Sequence, residues 1–426
     1  MRGSAGASGF VRQRWAAVVL RALLALCAVF AFAAPAVAAQ LAQSGAATGA
    51  PRIGVMTMQP GQIFFERFGH NAIVVDDPAE GAISYNYGFF DPTEPDFIAR
   101  FVRGDMRYRL LALPLAEDLV YYRDVGRGVS IQWLDLDPGE ATALAARLAD
   151  NARPENAHYR YDYFTDNCST RVRDAIDGAL GGTLAARLQS RSQGNTFRSE
   201  AVRLASPAPW MWLGFDVGLG PAADRPNSLW EDAFVPMRLA ASLRGMRRAD
   251  GRPLVQAEER LLPHRIDPEP PESRRAWWPW LLAGLAAAAL LLGAVRRRPR
   301  LVAGAAFGLW LLCAVVAALM LFIWFGTAHH FGWANHNLLL ASPLCLLLLP
   351  GAWRLARGRP AGRVFAGVLA MLALSLVAAP FLHWLPLAPQ RNAHWIALLL
   401  PLQLAFVLAL WPRRAASAPT APAPGP

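Results

Sequence analysis

Of the four cysteines in this 426-residue chain, only Cys168 lies outside a long apolar run, in "YFTDNCSTRVRDAID" at 163–177. A thiol attacks as its thiolate, so this chemistry needs a neighbouring base and surroundings that favour negative charge. Asp166 and Asn167 are good helix N-caps, and the residues after them read as a helix closed by Gly181 and Gly182. Cys168, Val172, Ile176 and Leu180 recur every four residues and share a face expected to lie on a sheet. Cys168 is therefore expected in the first helical turn, where unpaired backbone N–H groups and the positive dipole end stabilise a thiolate. Thiols so placed titrate at roughly 3.5 to 7.5 instead of about 8.5. The plainer reading is a small core residue. It fits poorly with a lone thiol in a chain that carries an export signal, because no second cysteine stands between residues 40 and 275 to pair with it.

Three histidines are available to this cysteine: His70, His158 and His264. His264 stands in a charged, proline-flanked linker, and His158 opens the strand just before the cysteine. His70, in "FERFGHNAIVVDD", begins an apolar strand, with Gly69 allowing close backbone approach. The next strand, "SYNYGFFD", would bring Asn86 or Tyr87 beside His70 to orient its ring, the part played by the third member of a triad. Alternation puts Asn86 opposite Tyr85 and Tyr87, so only one of those two readings can hold. Asn167, Arg171 and Tyr85 are the candidate substrate-binding residues.

The elements that must hold these groups are short and mixed. "RIGVMTM", "HNAIVVDD" and "GAISYNYGFF" read as strands, the last two as a hairpin. "MRYRLLALPL" and "VSIQWLDLD" flank a helical "AEDLVYYRDVG", and "EPDFIARFVRG" is a short helix closed by Gly104. Asp137-Pro138-Gly139-Glu140 is a capping box opening a helix to about Asn151, and "HYRYDYF" alternates like a strand. The pattern predicts an α+β domain with a mostly antiparallel sheet.

Residues 1–39 read as a secretory signal: four arginines, an apolar stretch, and a cleavage site at Ala36 to Ala38. After about residue 275, five apolar runs of spanning length or slightly less predict an α-helical transmembrane domain at 276–414. Arginines follow the first run (Arg296, Arg297, Arg298, Arg300), the third (Arg354, Arg357, Arg359, Arg363) and the fifth (Arg413, Arg414). The positive-inside rule thus places the 40–275 domain outside the cytoplasm and the C-terminus within it. Residues 415–426 are a Pro/Ala-rich tail. These arginines and the signal account for most of the net charge of +11, so nucleic acid is not an expected partner. No motif for a cofactor or metal is present. The outer loop "GTAHHFGWANHN" has three histidines but no carboxylate and reads as an interfacial loop, while "PWMWLG" at 209–214 reads first as core, or else as a segment dipping into the interface or covering the site. Asp224 and Glu231 read as loop and cap residues.

A histidine strand, a polar strand and a helix-starting "NC", in that order, resemble a circularly permuted papain-like fold of the lecithin:retinol acyltransferase type. More closely, "FERFGHNAIVV", "YNYGFFD", "YRYDYFTDNCSTRVRD", "PWMWLGFDVGLG" and "FVPMRL" resemble the periplasmic domain of the Lnb-type lipoprotein intramolecular transacylases, over roughly Ile53 to Leu243. That resemblance implies a bacterial inner-membrane enzyme acting on a diacylglyceryl-modified lipoprotein or membrane lipid. Cys168 would take an acyl chain as a thioester and His70 would move the protons, delivering the chain to the N-terminal cysteine amine. Two rivals remain. One is a papain-like hydrolase of cell-wall peptides or lipid esters; the other is a membrane-tethered binding or scaffolding module without catalysis.

Overall fold

Alternation of apolar and polar residues builds seven strands: β1 (Arg52–Met58), β2 (His70–Asp77), β3 (Gly81–Phe89), β4 (Met106–Pro114), β5 (Val129–Leu134), β6 (His158–Tyr161) and β7 (Val255–Leu262). The structure is a computed structural model and describes residues 49–272, 276–385 and 389–412. The expected signal at 1–39 and tail at 415–426 lie outside them. The strands form one sheet in the order β6-β4-β3-β2-β1-β5-β7. Every pairing is antiparallel, and the β2–β3 hairpin pairs Ile73 with Tyr85 and Val75 with Ile83.

Helices interleave with the strands: α1 (Phe97–Arg103), α2 (Leu115–Asp124), α3 (Pro138–Asn151), α4 (Cys168–Ala179), α5 (Thr183–Leu188), α6 (Phe197–Ala205), α7 (Pro209–Gly218), α8 (Leu229–Asp232) and α9 (Pro236–Arg244). The capping box at Asp137 and Glu140 opens α3 as the sequence indicates. Odd-numbered residues of the central strands (Ile53, Val55, Ile73, Val75, Tyr85, Tyr87) pack under α3, α4 and α9 through Leu144, Val172, Ile176 and Leu239. Even-numbered Met56, Met58, Ala72 and Val74 face the other way, with Tyr122 and Leu119 of α2 against them. Each fully buried side chain of this size stabilises by about 1.5–3 kcal/mol. The sheet is thus covered on both faces, and α4 is pinned to one of them by its apolar row.

A third cluster forms outside the sheet. Phe164, Phe197, Leu204, Leu219, Phe234 and Val235 pack together, and Phe331, from the loop expected to lie at the membrane interface, fits among them. The histidine loop is therefore folded onto the sheet domain instead of standing free among head groups. Among the described residues no group of three or more His, Cys, Asp and Glu could hold a metal.

The C-terminal half has five apolar helices: α10 (Trp278–Ala294), α11 (Pro299–Gly326), α12 (Leu344–Ala356), α13 (Phe365–Trp384) and α14 (Ala393–Leu410). Four candidate spans are long and apolar enough to cross a bilayer, the second being His330–Ala356, in which short 3-10 turns lead into α12. The expectation of five spans is met by length at four of the helices; α10, with 17 residues, reaches about 26 Å at 1.5 Å each, a little under a hydrocarbon core of about 30 Å. α10 packs lengthwise on α14, where a Cβ on Gly284 would meet the carbonyl oxygens of Ala397 and Leu398.

The two halves meet through buried polar groups. Arg198 forms a paired ion bond with Asp224 (Nε to Oδ2 2.8 Å) and donates to the carbonyl of Leu219. The backbone N–H of Arg391 donates to the same Asp224 carboxylate. Asp224 does lie in a loop, as its sequence context suggests, but it is also a buried structural hub; Glu231 closes a capping box on Ser228. Asn335 donates to the carbonyls of Val217, Gly218 and Leu219, and Asp216 meets His394 at 2.7 Å and accepts from the Trp395 indole at 3.1 Å. At Gly220 any Cβ would run into the carbonyl oxygen of Trp333, so only glycine permits this approach.

Candidate active site

The start of α4 is fixed from four directions. Asn167, in extended backbone, accepts from the Thr170 N–H at 2.9 Å, while Thr170 Oγ1 accepts from the Asn167 N–H at 2.8 Å. The Asn167 amide donates to the carbonyls of Tyr163 and Phe234, both at 2.9 Å. Ser169, fully buried, places its hydroxyl 2.8 Å from Asn71 Oδ1 in β2 and 2.6 Å from the Ala233 carbonyl. These bonds satisfy helix-end groups that would otherwise be unpaired and hold Cys168 as the first helical residue. Cys168 is half-buried and its thiol is free.

His70 begins β2 and faces the thiol. Burial alone would raise the Cys168 pKa, but the charge and hydrogen bond of His70, joined by the backbone N–H groups of Asn71 and Ser169, bring it below the ordinary thiol value. Burial likewise opposes the imidazolium, yet the Cys168 thiolate, with help from Asp118 and against Arg127, raises the His70 pKa. The two shifts run in opposite directions, and each favours the charged form of its group, the thiolate and the imidazolium.

The second ring nitrogen is occupied. His70 Nε2 lies 3.1 Å from Asn86 Oδ1. The amide of Asn86 donates to Asp118 Oδ2 at 3.0 Å and to Ser84 Oγ at 3.1 Å, and Ser84 donates to Asp118 Oδ2 at 2.7 Å. A carboxylate only accepts, so Asp118 assigns the NH2 end of Asn86 toward itself and the carbonyl end toward His70. His70 Nε2 must then carry the hydrogen, which leaves Nδ1 for the thiol. Asn86→Ala removes this anchor, and the expected result is alkylation of Cys168 by iodoacetamide about 10-fold slower at neutral pH, followed as loss of free thiol.

Of the sequence candidates, Cys168, His70 and Asn86 come together. Tyr87 and Tyr85 lie on the other face of β3, in the core under α3 and α4, where the Tyr87 hydroxyl donates to Asn151 at 3.0 Å. Asn167 is buried, with both ends of its amide committed to the cap. Arg171 pairs with Asp166 and lies over the Tyr159 ring at 4.2 Å, beside a shallow depression lined by Tyr87, Thr165 and Asp174. His158 is an exposed strand end, and His264 accepts from the Gly128 N–H at 3.0 Å.

Several contributors escape sequence reasoning. Asp118 and Ser84 carry no motif; only the packing of α2 on the sheet unites them. Gly88 takes a φ of +91° within an irregularity of the β3–β4 pairing, and a Cβ there would lie 3.6 Å from the Cβ of Cys168. The bulge opens the strand where the cysteine reaches past it, and a positive-φ glycine beside a paired strand was its available signal. The Tyr159 hydroxyl is buried without a partner near the same glycine. Burial, and then the Cys168 charge, hold it firmly protonated.

An antiparallel α+β domain, bearing a capped cysteine, a histidine and an amide in series, and joined to apolar spanning helices, defines a membrane-associated protein with a Cys–His–Asn site. Residues 47–204 match the family model described as the Lnb N-terminal periplasmic domain, so this part of the chain is similar to that domain. The match includes His70, Asn86, Asp118 and Cys168 and ends before α7. Neither curated proteins nor solved structures gave a match to this chain.

Proposed function

We propose that this protein is a cysteine-dependent lipoprotein N-acyltransferase that moves an acyl chain from the diacylglyceryl group to the N-terminal cysteine amine. The observation that carries this reading is the Cys168–His70–Asn86 series inside an Lnb-type domain mounted on apolar helices. The Cys168 thiolate attacks the ester carbonyl, and the oxyanion collapses as His70 gives its proton to the departing glycerol oxygen. The product is a thioester and a lyso-lipid. The free α-amine, with a reference pKa of about 7.7 to 8.0, attacks that thioester; His70 takes the amine proton and the thiolate leaves. Ester and amine belong to one molecule, so proximity supplies much of the rate. The Cys168 N–H at the helix start and the unpartnered Tyr159 hydroxyl are the oxyanion donors of choice.

On this reading 1–39 is a cleaved signal, 40–275 the periplasmic domain in a permuted papain-like arrangement, and 276–414 a five-helix inner-membrane domain with a cytoplasmic C-terminus. Mass spectrometry of lipoprotein N-termini from cells with and without the protein tests the activity. N-acylated termini paired with a lyso-glyceryl group should appear only when it is present; unchanged termini, or free fatty acid without N-acylation, would replace the transferase by a hydrolase or a non-catalytic module.

A further inference from the structure

Beside the candidate site the sheet domain carries a surface that a water-facing protein would bury. Ile98 of α1 is 73% exposed, Trp210 of α7 66%, and Phe65, in the 3-10 turn Phe64–Glu66, 55%. These come from three separate segments, yet they form one patch. Phe64 stacks on Trp210 at 5.9 Å between ring centroids and meets Phe101 of α1 edge-on at 6.3 Å; Phe65 meets Phe90, which stacks on Phe97 of α1. Contiguous exposed apolar surface of this kind marks a contact site. The Trp210 segment is thus not core, the first reading of its sequence; only Met211 and Asp216 of α7 are buried.

Its place in the fold names the contact. The backbone N–H of Ala328, two residues past the end of α11 at Gly326, donates to the carbonyl of Arg103 in α1 at 2.8 Å, and His329 Nε2 lies 3.1 Å from the carbonyl of Phe101. α7 is held at its far end by Asn335, His394 and Trp395, all beside the ends of apolar helices. Both arms of the patch are therefore bolted to the same rim of the spanning bundle, opposite the arginine-rich turns at Arg296–Arg300. Arg103, exposed beside Val102, pairs with no acid among the described residues and suits an anionic head group.

We infer that the aromatic patch of the 3-10 turn, α1 and α7 is immersed in the outer leaflet of the bilayer, and that it admits lipid esters to Cys168. The turn runs directly into β2, so Phe65 is only five residues from His70. Aromatic rings favour the glycerol level of a leaflet, where the ester carbonyls lie. The inference rests on the membrane reading of the helices, and its spectroscopic test does not require acyl transfer.

A nitroxide on Ile98→Cys, in full-length Cys168→Ser protein in nanodiscs of phosphatidylethanolamine and phosphatidylglycerol, reads the depth. A second label at Glu155→Cys, on the exposed turn after α3, serves as the aqueous reference. The expected result is severalfold more collision with oxygen, relative to a nickel chelate, at 98 than at 155. Equal ratios put the patch in water, and shielding from both reagents means that protein covers it; either overturns the inference. In otherwise native protein, Phe65→Ser with Trp210→Ser should lower acyl transfer from membrane lipid while leaving iodoacetamide alkylation of Cys168 unchanged; unimpaired transfer would refute the entry role. An immersed label at 98, together with no acyl transfer by the protein with native Cys168, would sink the transacylase reading alone.

Discussion

Cys168→Ala is expected to abolish acyl transfer, with kcat reduced by at least about 10⁴-fold and the fold intact. The side chain is half-buried, and the N-cap, Ser169 and the apolar row of α4 hold the helix without the sulfur. Stability should therefore change little, whereas no neighbouring group can form the covalent acyl intermediate. Cys168→Ser is the sharper variant. A hydroxyl keeps the shape and the hydrogen bond to His70, but its far higher pKa leaves it unionised where the thiol is a thiolate, so serine should be nearly as inactive as alanine. The check is a single-turnover assay with labelled diacylglyceryl peptide, following both the protein-bound acyl group and the N-acyl product. Substantial transfer by either variant would remove the thioester from the mechanism and return the cysteine to the core.

His70→Ala should be almost as severe, and its signature lies in the pH dependence. In the wild type the thiolate persists above the lowered Cys168 pKa and the imidazolium below the raised His70 pKa. Each shift widens the pH range over which thiolate and imidazolium coexist. Removing the ring deletes the largest influence that lowers the thiol and leaves burial, which raises it. Alkylation of Cys168 by iodoacetamide should then shift its midpoint upward, beyond the ordinary thiol value of about 8.5, and lose the low-pH shoulder. Acyl transfer should fall by about 10³-fold or more, because the leaving alkoxide has no proton donor. An alkylation profile that does not move on His70→Ala would show that the helix start alone ionises the thiol.

The parts of this arrangement legible in the sequence are those governed by one period at a time. Six of the strands, the capped start of α4 and its apolar row follow from alternation, caps and four-residue spacing. β7 does not: "VQAEERLL" is polar because it is an edge strand with most residues in water, so its partner β5 supplies the reason for it. Alternation places Asn86 opposite Tyr87 but cannot say which of the two faces His70. That choice is made by α2, whose Asp118 and Ser84 partner draw Asn86 to one side. The shortness of α10 escapes the sequence for a similar reason. Hydropathy sees an apolar run, while helix length is set by Trp277 at one end and by the turn at Arg296–Arg298 at the other.

The buried polar seam between the halves also bears on the order in which the chain is made. Asp216, Asp224 and the carbonyls of Val217, Gly218 and Leu219 leave the ribosome early. Their partners at Asn335, Arg391, His394 and Trp395 come more than a hundred residues later. Phe234, whose carbonyl clamps the start of α4, shares one cluster with Leu219 and Ala223 of that early segment and with Phe331. Segments of a growing chain fold as their contacts become available. The packing that Phe331 adds beside the start of α4 thus arrives only after α11 has been made, so the surroundings of Cys168 are completed once part of the apolar bundle exists.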